Sequence, residues 1–142
     1  MSQVNADTIR KSDGSLGTDI RVKNTSVYES DGGTSVTQNL VQGIAKQWAQ
    51  VKMNDTWALN DSFNVSSASD SGTGYSRMNF TNNFANVNYS ATAAGDSSDW
   101  GHVVSIDGPV TTSHLWIYGN RSQSQASADN PRAQNTTHGD LA

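Results

Sequence analysis

Apolar residues along this chain recur mostly at every second position, in short groups separated by polar runs rich in glycine. From Thr56 onward the pattern is clearest: Trp57 alternates to Leu59, and Phe63 to Val65. Beyond the run SSASDSGTG (66–74), Ser76, Met78 and Phe80 share one side while Tyr75, Arg77 and Asn79 share the other. Val87, Tyr89, Ala91 and Ala93 form the next group, followed by the loop AGDSSDWG (94–101). His102–Asp107 and Thr111–Tyr118, separated by Gly108-Pro109, complete the set. A period of two puts alternate side chains on opposite faces of a sheet. Short strands of this kind with turn signals between them predict an all-β antiparallel β-sandwich or small barrel. Gly72 and Gly74 are expected to supply positive φ in the first hairpin loop.

The N-terminal third is thinner. DIRVKNTSVYES (19–30) carries Ile20, Val22 and Val27 on a narrow apolar face, bracketed by the turn dipeptides Asp13-Gly14 and Asp31-Gly32. A lone hairpin with so little apolar surface is not stable by itself. It needs another chain or the main domain to lie against. In TSVTQNLVQGIAKQWAQVKM (34–53), Leu40, Ile44 and Trp48 fall at four-residue steps, while Ile44, Lys46 and Trp48 also alternate. Gly43 interrupts any helix, so the reading is a short helical turn at 37–43 and a strand from about 45. The expected organisation is therefore an oligomerisation segment at 1–43, a β-head at 44–119, and a polar C-terminal tail at 120–142 that is disordered unless a partner orders it. Ile20, Val22, Val27, Leu40 and Trp48 are the candidate interface residues.

Composition adds a reason for association. Only 34% of the 142 residues are hydrophobic and 15% are charged, and Ser, Thr and Asn fill the difference. Short hydroxyl and amide side chains suit turns and exposed sheet faces. The private core of such a chain is modest, so self-association is expected. The net charge of −4 comes without a basic stripe, which argues against nucleic-acid binding. No apolar run approaches the ~20 residues needed to span a bilayer as a helix, so membrane insertion is not expected. The opening MSQVNADTIRKSDG lacks the apolar stretch of a secretory signal peptide. Sequons occur at Asn24, Asn64, Asn79 and Asn88 among other positions, at the frequency that so much Asn, Ser and Thr produces by chance. With no cysteine, disulfide and thiolate chemistry are excluded.

Candidate chemistry is sparse. Asp96, Asp99 and His102 are close in sequence, but zinc takes several His or Cys ligands and calcium six or more oxygens. The cluster reads as a solvated turn, with no metal or other cofactor. His114 shares a strand face with Trp116 and reads as a hydrogen-bonded sheet histidine. Glu29, Asp55, Asp61 and Asp70 offer carboxylates, yet nothing in their spacing selects a catalytic pair. No nucleophile elbow, phosphate loop or zinc-protease motif occurs, and no catalytic residue is assigned. Trp100 is the exposed-loop aromatic: flanked by Asp96 and Asp99, it could stack on a sugar ring, or else fold back onto the sheet or a neighbouring chain.

The pieces IAKQW (44–48), DSFNVSS (61–67), DSGTGYSRMNFTNNF (70–84) and NVNYS (86–90), with TTSHLWIYG (111–119) and the terminal GDLA (139–142), resemble a module of small virion proteins of tailed bacteriophages, notably those of aquatic and cyanobacterial hosts. That resemblance implies a β-rich, trimeric tail-fibre or head-fibre component, assembled in the host cytoplasm and resident in the virion. Its N-terminal part would attach to other virion proteins of the tail, portal vertex or capsid. Its outward part would face a host-surface glycan, with Trp100, Asp96 and Asp99 as the receptor contacts. The alternative it leaves open is a capsid decoration or cement protein that stabilises the shell. One departure stands out: SADNPRAQNTTH (127–138) is polar where such chains carry an apolar strand before GDLA.

Overall fold

The computed structural model describes residues 27–30, 33–39, 43–96, 102–121 and 124–142. The chain divides into two compact units, Met1–Val41 and Gln42–Ala142. In the first, β1 (Val27–Ser30) and β2 (Gly33–Asn39) form an antiparallel hairpin with Val27 opposite Asn39 and Glu29 opposite Thr37. The helical turn expected from residue 37 is not there, because β2 continues through Asn39. Thr34, Val36 and Thr37 are β-branched residues that favour the pleated chain, and cross-strand pairing prevails over the four-residue spacing of the apolar positions.

The second unit is all-β, two antiparallel four-stranded sheets packed face to face as a small sandwich. Its strands are β3 (Gln47–Lys52), β4 (Ala58–Phe63), β5 (Val65–Asp70), β6 (Tyr75–Phe80), β7 (Ser90–Gly95), β8 (His102–Asp107), β9 (His114–Arg121) and β10 (Ala133–His138). The first sheet runs β4-β3-β10-β7 and the second β5-β6-β9-β8. Between them lie Ala49, Val51 and Ala133 from the first sheet and Met78, Phe80, Val104, Leu115 and Ile117 from the second. Phe84 closes one end of the core, with its ring 5.1 Å from that of Phe80 and 4.4 Å from that of Tyr89.

The predicted alternation of β6 holds: Ser76, Met78 and Phe80 are buried, while Tyr75, Arg77 and Asn79 lie on the outer face. Phe63 and Val65 do not share a face as the alternation suggested. The chain crosses from the first sheet to the second between them, at Asn64, whose φ is +56°. Phe63 is left on the outer surface, 53% exposed, whereas Val65 packs on the core. Gly72 and Gly74 both take positive φ in the β5–β6 hairpin, as expected of them. A Cβ on Gly74 would collide with the Gly119 carbonyl oxygen, because Gly119 donates its N–H to the Gly74 carbonyl at 2.7 Å.

The C-terminal tail requires correction. Residues 133–138 are not an irregular extension: they form β10, an interior strand of the first sheet, paired with β3 on one side and β7 on the other. Ala133, Asn135 and Thr137 face inward. The two polar ones are hydrogen-bonded within the sandwich, where Asn135 Nδ2 and Thr137 Oγ1 donate to Gln47 Oε1 at 2.7 and 2.8 Å. A strand that buries hydrogen-bonded polar groups has no apolar stripe to betray it. The segment leading into β10 is also pinned, by Ala128 N–H to the Gly119 carbonyl at 2.9 Å and Gly74 N–H to Asp129 Oδ1 at 2.6 Å.

Candidate functional site

Each sheet of the sandwich turns one face outward, and the two faces differ in character. On the second sheet, Tyr75 stands opposite Tyr118 and Arg77 opposite Trp116. The tyrosine rings are 4.7 Å apart, and the Arg77 guanidinium lies 5.7 Å from the centre of the Trp116 ring. Arg77 Nη2 also sits 3.2 Å from His114 Nδ1. The guanidinium can only donate, so Nδ1 accepts and His114 is neutral. Burial, and then the Arg77 charge, hold the His114 pKa below the usual histidine range. Thr111 Oγ1 accepts from the His114 and Ser113 backbone N–H groups at 3.0 and 3.3 Å, and Tyr89 OH donates to the Thr111 carbonyl at 2.9 Å. On this face Arg77, His114 and Trp116 contact one another.

The outer face of the first sheet is different. Cross-strand register brings Phe63, Trp48, Thr136 and Thr92 into one row over four strands, and Asp61, Gln50, Gln134 and Ala94 into the next. Thr92 and Ala94 on β7 and Thr136 on β10 are small, whereas Trp48 is large. The step between them makes an open trough of about 420 Å³ lined by these residues with Gln50 and Gln134. Trp48 is 37% exposed above it. Among the described residues none of the trough's side chains carries a charge.

The expected contact residues are distributed unevenly. Trp100, Asp99, Ile20, Val22 and Leu40 lie outside the described residues. Val27 begins β1. Asp96 is exposed just past β7, and its backbone is tied down on both sides: its N–H donates to the Arg132 carbonyl at 2.9 Å, and its carbonyl accepts from Asn130 Nδ2 at 3.1 Å. Trp48, expected at an interface, is on the outer face beside the trough. Trp57 is a packing residue, with Nε1 donating to the buried Ser76 Oγ at 2.8 Å. Among the described residues no three His, Asp or Glu side chains converge on a point.

Gln50, Thr92, Gln134 and Thr136 escaped sequence reasoning because they come from three strands far apart in the chain. Their only local signal is strand alternation with small or amide residues on the polar side, which in isolation reads as ordinary solvated sheet. Comparison of the chain with family models, with curated proteins and with solved structures finds no match.

Proposed function

We propose that this protein is a structural subunit of a phage virion, a trimeric tail-fibre-type appendage whose β-sandwich head offers a contact surface to the host envelope. The Met1–Val41 unit would then join it to the particle. The observation that supports this reading most is the open trough beside Trp48. Here a large indole and a set of amides and hydroxyls face solvent together. Such an arrangement suits binding and offers no acid–base pair for turnover.

The test is location and copy number on purified virions. Labelled antibody should decorate the tail or a vertex, and quantitative gel analysis should give tens of copies or fewer per particle. Hundreds of copies spread over the shell would replace the appendage reading with a capsid decoration role.

A further inference from the structure

We propose that the trough on the outer face of the first sheet is a binding site for a neutral oligosaccharide. This rests on the reading of the head as an attachment surface and names what that surface holds. The volume of about 420 Å³ falls within the ~300–1,000 Å³ of small-ligand sites. Trp48 supplies one wall, an indole ring whose exposed side can stack on the C–H face of a sugar. Gln50, Gln134, Thr92 and Thr136 supply donors and acceptors, and a polyol answers each of these with a hydroxyl that does both.

Charge sets the class of sugar. Lys52, the cation farther along β3, is paired with Asp55 at 3.4 Å. Asp61 stands opposite Gln50 and places a negative charge beside the trough. Arg132, two residues before Gln134, and Lys52 stand beyond the trough, whose own lining holds no cation to pair with an acidic sugar, so the ligand is uncharged. A second copy of the chain is a poorer occupant. Interfaces between like chains concentrate apolar area at their centre. Here the centre is Gln and Thr, whose hydrogen bonds an apolar partner would leave unmet.

Calorimetric titration of the full-length protein tests this, using hexasaccharides of β-1,4-glucan, α-1,4-glucan, mannan and galactan, with an oligogalacturonate hexasaccharide as the acidic probe. At least one neutral sugar should bind, with an affinity unchanged between low and high NaCl. Trp48→Ala should weaken that binding about tenfold or more, in line with the loss of a central aromatic contact. Trp48→Phe should retain part of it, Gln134→Ala should weaken it, and Trp116→Ala on the opposite sheet should leave it unchanged. Should Trp48→Ala not fold, Trp48→Phe and the exposed-residue variant Gln134→Ala decide the matter, and wild-type affinity in both overturns the site. It is equally overturned if no neutral sugar binds, if only oligogalacturonate binds and does so salt-sensitively, or if Trp48→Ala binds normally. Dissociation of an oligomer by Trp48→Ala would reassign the face to contact between copies. Particle incorporation is scored separately. Normal incorporation without sugar binding removes this site and leaves the appendage reading intact, and sugar binding by a protein absent from virions supports the site and removes that reading.

Discussion

Asn64 does the work of a corner. Its φ of +56° is one that Asn and Gly tolerate best, and its side chain bonds across the gap between the two sheets. Nδ2 donates to the carbonyls of Lys46 and Asn82 at 3.0 Å each, and Oδ1 accepts from Asn82 N–H at 2.7 Å. Asn64→Ala loses both the backbone tolerance and these bonds, and should cost about 2–4 kcal/mol in urea unfolding. Asn64→Gly keeps the backbone tolerance and should cost less, so the difference between the two isolates the conformational term. His114 gives a pH signature. Its pKa in the folded protein is lowered, first by burial and then by Arg77. Below about pH 6.5 the unfolded chain takes up the proton more readily than the native state does, so native stability falls with decreasing pH from there to the folded pKa. Above about pH 6.5 both states are neutral and the residue contributes no slope. Urea midpoints at about pH 7.5 and pH 5 should therefore fall more for the wild type than for His114→Gln, and equal falls would show that His114 is not the group responsible.

At the scale of the element, β10 is the strand on which the first sheet depends. It joins β3 to β7, and Ala133 at its start is fully buried. The strand is held from within by Gln47, whose single Oε1 receives both Asn135 and Thr137. Gln47→Leu would strand two buried donors, at ~1–3 kcal/mol each. The triple variant Gln47→Leu, Asn135→Leu, Thr137→Val removes both sides of the network, along with the Gln47 Nε2 and Asn135 Oδ1 atoms that bond to nothing in the described structure. Removing both partners of a hydrogen bond is far less costly than removing one, so the triple variant should recover most of the lost stability in the same unfolding assay. Additive losses across the three sites would mean that packing, and not hydrogen bonding, holds the strand.

For the whole molecule, the division into Met1–Val41 and Gln42–Ala142 has a direct consequence. The sandwich has its own core, built from residues of the second unit. Deletion of residues 1–41 should therefore leave a folded β-protein by circular dichroism, and the proposed attachment role requires that this protein no longer enter particles. Sedimentation of the full chain at micromolar concentration should show about three copies. A monomer at that concentration would remove the trimer, and unfolding on truncation would mean that the first unit completes the head.

The sequence by itself determined the class of fold and most of its strands, because a period of two is a local property that each strand carries in its own residues. β6 and β8 are plain in this way, and so are the glycines of the β5–β6 hairpin. Three features needed the tertiary structure. The change of sheet at Asn64 is invisible to alternation, which continues smoothly through Phe63 and Val65 while the chain moves to another layer. β10 reads as a polar tail because its inward residues meet a polar partner, Gln47, from 88 and 90 residues earlier in the chain. The trough beside Trp48 exists only where β3, β10 and β7 lie side by side, so its lining is a product of register. Local pattern fixes which way a side chain points from its own strand, and only the pairing of strands fixes what it points beside.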